Sequence, residues 1–246
     1  MSRAMPNQAP LYERQKARLE AYANAGVNFD LERTADYTPE NGWRVDDYET
    51  ELPAEQPGPP AAQGSWAAAR EVLRNYTFPP PNLITGIFLP DQPLEQRVMV
   101  LRGQFLFFTF WFGVRIGGVT DEQRTLPNGE TEQVWGYNYR TLEGHFERGQ
   151  IDFTIHKNLV TGRIIFHIHA FSQTGRIRNP FYWIGFRLFG RMLQKRFSQQ
   201  SMKRLRAQVE EMLQKGWQTP NTQEAPPVQQ AATQHDAQEQ MDKATS

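Results

Sequence analysis

Two pairs of side chains in this sequence have the types and spacing that chemistry needs. His145 and Glu147 stand two apart, and residues i and i+2 of a strand face the same side. An imidazole and a carboxylate on one inward face can act as a base and its orienting partner, or bind a polar group of a ligand. The alternative is a buried pair that anchors a strand end and satisfies backbone groups. His167 and His169 repeat the spacing, which is that of a two-histidine metal half-site. The residues alternating with them, Ile164, Phe166, Ile168 and Ala170, are apolar and belong to the core side. The two histidines therefore face outward, no acid or cysteine near them in sequence completes a ligand set, and no metal is expected.

Tyr137 and Tyr139 share a face with Trp135. A tyrosine suits an apolar pocket that needs one or two polar contacts, although a packed ring with a tethered hydroxyl serves structure equally. The segment from Arg176 to Phe197, RIRNPFYWIGFRLFGRMLQKRF, is dense in aromatics and arginines. Arg187, Arg191 and Lys195 recur every four residues, the stripe of an interfacial helix on anionic lipid. The competing arrangement turns Phe181, Trp183, Ile184, Leu188 and Met192 to a sheet and leaves the cations to solvent or to an acidic part of the chain. The sequence has no phosphate-cradling glycine loop, no dinucleotide fingerprint, no zinc-protease helix and no serine-hydrolase elbow. No cofactor is expected.

The elements that must position these side chains can be read from periodicity. Val134 to Leu142, Gly144 to His156 and Arg163 to Ser172 are three strands with short links, an antiparallel meander. In the second, Ile151, Phe153 and Ile155 share the face of His145 and Glu147, unless Gly149 introduces a bulge. Asn82 to Phe88, Gln96 to Arg102 and Gly113 to Thr120 are further strands. Phe105 to Phe112 is a buried or interfacial run, and Leu126-Pro127-Asn128-Gly129 is a hairpin signal. Ser65 is positioned to cap a helix through Trp66, Ala69, Val72 and Leu73. Asn179-Pro180 opens a long helix that Gly216 closes. Leu11 to Ala25 is helical but polar, a loosely attached or solvated element. Val27 to Pro60 is acidic and turn-rich, with Trp43, Val45 and Tyr48 as its core candidates.

Composition bounds the rest. The 246 residues carry no net charge and no cysteine, which excludes a disulfide scaffold and thiolate chemistry. Charge is nonetheless segregated: nine acids and two arginines lie between Asn28 and Pro60, whereas Phe153 to Val209 holds eleven Lys and Arg and no acid. A balanced total argues against nucleic acid as partner. The most apolar run, Phe105 to Val114, is half the ~20 residues a membrane span requires, and the start lacks a secretory apolar core. A cytoplasmic protein is expected, with residues 1–26 as tail and helix, 27–215 as one domain and 216–246 as a Gln-, Pro- and Ala-rich disordered tail.

Tyr139 to Gly149, YRTLEGHFERG, resembles a YGTLxGHxExGE signature. Ala170-Phe171-Ser172 resembles its later AFS element, and Leu193 to Phe197, LQKRF, its LQRRF helix. These mark a resemblance to DUF1990, a domain-of-unknown-function family, which implies no established reaction. Arg140 and Glu143 depart from the pattern. Gln150 and Ile151 replace a paired acid, so any catalytic role of those acids is absent or moved in this chain. The resemblance implies an α+β fold in which a curved antiparallel sheet wraps a long C-terminal helix, similar to START-like, helix-grip ligand binders. The expected function is binding of an apolar or amphipathic small molecule between sheet and helix, lined by Tyr137, Tyr139, Phe153 and Phe166 with His145 and Glu147 as polar anchors. An enzyme of cyclase or hydrolase type using His145 and Glu147, and a membrane or protein-interaction module built on 176–197, are the alternatives.

Overall fold

The computed structural model describes residues 9–105, 108–175 and 180–217, with the side chains of 105 and 180–189 outside the description. Seven antiparallel strands form one curved sheet among these residues, in the order β1-β7-β6-β5-β4-β3-β2. They are β1 (Arg44–Leu52), β2 (Ile84–Ile87), β3 (Val98–Phe105), β4 (Phe108–Thr125), β5 (Thr131–Thr141), β6 (Glu147–Asn158) and β7 (Ile164–Thr174). A 36-residue helix, α4 (Pro180–Lys215), follows the last strand. The sheet with its closing C-terminal helix is the helix-grip arrangement.

The central meander follows from alternation. Phe153 and Ile155 on β6 and Ile164, Phe166 and Ile168 on β7 are buried, while the residues between them are half-buried or paired on the outer face. Gly129 and Gly162 turn the links at positive φ, 85° and 75°. No bulge interrupts β6 at Gly149, which stays in register opposite Ser172. Its glycine is required for another reason: a Cβ there would lie 2.1 Å from the Phe171 carbonyl oxygen. The register shift falls instead on β4, between Ile116 and Gly118.

Three elements differ from the sequence expectation. The acidic segment supplies β1, an edge strand antiparallel to β7; its Trp43 neighbour is buried, Tyr48 packs on the core, and Val45 is exposed. Charged residues on an edge strand discourage pairing with another chain, and they also hide the strand's alternation. The aromatic run belongs to the β3–β4 hairpin, with Phe105 opposite Phe108. Finally, α1 (Leu11–Arg14) and α2 (Lys16–Ala23) are not solvated. Leu11 and Leu19 are buried against Ile87 and Val100 on the outer face of the sheet. Gly113 makes room there for the Tyr22 ring, which a Cβ would approach to 2.1 Å.

The helix α3 (Ser65–Arg74) packs under the inner face, and its cap also departs from expectation. Gly64 is the N-cap residue and the Ser65 hydroxyl is buried without a partner. The carboxylate of Glu55 takes over: Oε1 accepts from Trp66 N (2.8 Å), and Oε2 accepts from Ala61 N (3.0 Å) and from the buried Lys157 Nζ (2.6 Å). One acid thereby satisfies a helix start and the charge of a buried lysine. The segregated charges meet in the same way elsewhere, as Glu51 with Arg163 and Asp46 with Arg191. At the other end of α4, Gly216 adopts φ 65° as expected of a helix stop, and Trp217 packs on the core. Asn179, proposed as a cap, and residues 218–246 lie outside the described residues. No helix among the described residues is long and apolar enough to cross a membrane.

Candidate functional site

The inner face of the sheet is filled unevenly. Under α3 and the C-terminal half of α4, side chains interlock: Phe78 lies 4.9 Å from the ring of Phe153 and 5.9 Å from that of Phe166, and Leu205 and Val209 of α4 are buried there. Under residues 190–198 of α4 the face is hollow. A cavity of about 440 Å³ lies there, between the sheet and the helix. Its helix side is made by Gly190, Leu193, Gln194, Phe197 and Ser198, and its sheet side runs from Asp46 and Tyr48 on β1 to Leu83 and Ile84 near β2.

Alternation on β4 supplies the apolar wall. Phe108, Phe110 and Phe112 stack along one face with successive centroids 6.2 Å apart. Phe146, from the β5–β6 link, meets Phe110 and Phe112 edge-on at 5.6 and 4.9 Å. None of the four was among the residues expected at the site, although the F-x-F-x-F spacing of the hairpin is itself a strand signal.

The six residues expected to line a ligand are split. Tyr139, His145 and Glu147 border the cavity. Tyr137, Phe153 and Phe166 share their face of the sheet but lie farther along the strands, in the packed half. The split has a local cause. Phe78 fills the space over Phe153 and Phe166, and the Tyr137 hydroxyl donates to the Leu73 carbonyl at the end of α3 (2.9 Å). That hydroxyl tethers a helix.

The polar end of the cavity is built by β1, β6 and α4. Glu147 Oε1 accepts from Gln194 Nε2 and faces Arg44 Nη1 at 3.8 Å. Asp46 is held by Arg191 through both carboxylate oxygens, one at 2.6 Å, and accepts from the Tyr48 hydroxyl at 3.3 Å. Burial raises the Glu147 carboxyl from 4.5 to about 7, with Arg44 opposing the shift. Burial also lifts Tyr139 to about 12.

His145 is not in the strand but in the link before it, its ring tilted by 40° against Phe112 with centroids 4.6 Å apart. Its Nδ1 accepts from the backbone N of Glu147 (2.9 Å), not from the Glu147 carboxylate. The neutral ring then carries its proton on Nε2. Desolvation lowers its pKa from 6.5 to about 4. The expected arrangement of base and orienting carboxylate is therefore not formed: the carboxylate turns to α4, and a backbone amide fixes the imidazole.

The other candidates fall outside this site. His167 and His169 are on the outer face, where Asp47 Oδ1 lies 3.2 Å from His167 Nε2 and 2.8 Å from His169 Nδ1. Among the described residues, no group of three or more His, Asp or Glu could hold a metal ion. In the basic stripe, Arg191 is bound to Asp46, Lys195 is exposed, and Met192 is exposed rather than turned to the sheet. The side chains of Arg187, Phe181, Trp183, Ile184 and Leu188 lie outside the described residues.

Several solved structures resemble the fold. Ara h 8.0201 aligns with TM-score 0.41 and 10% identity over 69% of this chain and 99% of its own. A START superfamily protein from Mycobacterium smegmatis gives 0.40 and 11% over 68% and 98%. Norcoclaurine synthase from Thalictrum flavum, solved with dopamine and hydroxybenzaldehyde, gives 0.36 and 10% over 72% and 90%. No match is found among curated proteins. The sequence signature around Tyr139 to Gly149 has a direct counterpart at the family level: residues 22–204 match the domain of unknown function DUF1990, and the chain belongs to that family.

Proposed function

We propose that this protein binds an apolar or amphipathic small molecule in the cavity between the sheet and residues 190–198 of α4. The observation that carries the reading is the cavity itself, about 440 Å³ with a wall of phenylalanines and a short polar end. Ligand sites commonly occupy about 300–1,000 Å³ and combine an apolar lining with a few placed polar groups. Tyr139, His145 and Glu147 are the polar contacts in this reading. No resident cofactor is needed for it. Native mass spectrometry of the purified protein, followed by solvent extraction, tests the proposal. A bound small molecule that is absent from an Ala170→Leu variant is expected, because Ala170 lines the cavity and the three extra heavy atoms of leucine would compete with the guest. Protein that shows no bound molecule and takes up no apolar probe would overturn it.

One observation favours a second reading, in which the cavity also performs acid–base chemistry. Glu147 is the one cavity carboxyl pushed to about 7, where a group can both give and take a proton near neutrality. His145 is a poor base in this geometry because its Nδ1 is already an acceptor. Incubation of the extracted molecule with wild-type protein and with Glu147→Gln separates the readings: conversion by wild type alone supports catalysis, and unchanged recovery from both supports binding.

A further inference from the structure

The polar end of the cavity has a chemical sense that the binding reading leaves open. Its two carboxylates, Glu147 and Asp46, already have the two described cations beside them, Arg44 and Arg191. Arg191 holds both oxygens of Asp46, and the Arg44 guanidinium stands opposite Glu147. The acceptor that faces the cavity is the Glu147 carboxylate, which already accepts from the Gln194 amide.

We infer, resting on the binding reading above, that the natural ligand presents a hydrogen-bond-donating end, a hydroxyl or a protonated amine, to Glu147, and that the cavity discriminates against carboxylates. Glu147 and Asp46 both line the cavity, and a donor shares Glu147 with the Gln194 amide. A carboxylate in the same place adds a third acidic group to a desolvated end whose described cations are already matched. His145 offers an Nε2–H donor, but a neutral imidazole does not offset a second negative charge. The remaining polar side chains of this end, the Tyr48 hydroxyl and Ser172, are neutral. The ring wall of Phe108, Phe110, Phe112 and Phe146 is suited to a flat apolar body, since aromatic pairs gain from edge and offset contacts beyond area alone.

The test uses three probes of one body and different ends: naphthylethanol, naphthylethylamine and naphthylacetate. Each displaces a fluorescent apolar dye from the full-length protein at pH 8.5, where Glu147 is ionised. The alcohol and the amine are expected to bind at least about tenfold tighter than the carboxylate, the difference one hydrogen bond to a charged or buried group supports. Glu147→Gln should weaken the amine more than the alcohol and improve the carboxylate. Equal binding of all three, or tighter binding of the carboxylate, overturns this inference while leaving the cavity a ligand site. Failure of the dye and of every probe to bind overturns the binding reading and this inference together.

Discussion

Two halves of one sheet face, built by the same strands, have opposite interiors. On β6, Phe153 and Ile155 are sealed, whereas Glu147, Gly149 and Ile151 border a cavity. On β7, Ile164, Phe166 and Ile168 are sealed, whereas Ala170 and Ser172 border it. The strands cannot account for the contrast, because alternation continues unbroken across it. The cover does. α3 brings Trp66, Ala69, Val72 and Leu73 against the first half, and the chain beyond it brings Phe78. Among the described residues the second half is covered by α4, through a stretch in which Gly190, Gln194 and Ser198 stand where a core would place larger apolar residues. Stability therefore belongs to the half with two layers of cover, and the proposed binding to the half with one.

The sharpest way to break that division is to truncate one ring on each side. Phe78→Ala removes a fully buried ring from among Tyr76, Phe153 and Phe166. It is expected to cost about 3–5 kcal/mol in urea denaturation, the range for large-to-small changes in a packed core. Phe112→Ala, on the cavity wall, leaves a space that already has an empty neighbour, and about 1 kcal/mol or less is expected with a larger loss of probe affinity. Equal costs at the two positions would mean that the cavity half is as tightly packed as the other.

The polar end gives the next largest effect, and it has a sign. Burial raises Glu147 from 4.5 to about 7 and lowers His145 from 6.5 to about 4. The Glu147 contribution to stability is present in full below about pH 4.5 and is lost as pH rises through 7. The His145 contribution is present above about 6.5 and is lost as pH falls through 4. Between those limits the two slopes cancel, since the unfolded chain holds a proton on the imidazole and the folded chain holds one on the carboxyl. Single variants separate them. Relative to wild type, Glu147→Gln should gain on the order of 2–3 kcal/mol as pH rises from about 4.5 to 7, and His145→Gln a similar amount as pH falls from about 6.5 to 4. Chemical denaturation across that range checks both, and flat difference profiles would show that neither group is desolvated.

The two tyrosines of β5 repeat the contrast at smaller scale. Tyr137→Phe removes the donor that meets the buried Leu73 carbonyl and should cost about 1–2 kcal/mol. Tyr139→Phe, at the cavity, should cost less and alter probe binding. In sequence these residues are equivalent, two apart on one face, and that is the limit of what alternation carries. Parity assigns a side chain to a face; it does not say which end of the strand is plugged from elsewhere in the chain. Tyr139 and Glu147 were legible because parity puts them on the inner face, whereas His145 precedes the strand and parity does not place it. Phe153 and Phe166 lie in the packed half because Phe78, remote in sequence, decides their surroundings. Asp46 and Gln194 were not legible at all: each reaches the site through the pairing of β1 with β7 or the docking of α4, and β1 itself is disguised by the acids of an edge strand. The meander and the closing helix were readable because their apolar periods are strong and their turns carry glycine.

The smallest expected change in stability is the most informative about the hollow half. Ala170 faces the cavity from β7 beside Ile151 of β6, its partner across the ladder. If the space is there for a guest, a leucine at 170 can extend into it without displacing neighbours. It should then raise stability by up to about 1 kcal/mol, because apolar area is buried at no cost in strain. The same substitution at a packed position forces rings off their rotamers and destabilises. Ala170→Leu should therefore leave the unfolding midpoint equal to or above wild type and abolish binding of the apolar dye. A loss of more than about 1 kcal/mol would show instead that side chains already occupy the space, and the division between a packed and a hollow half would not survive it.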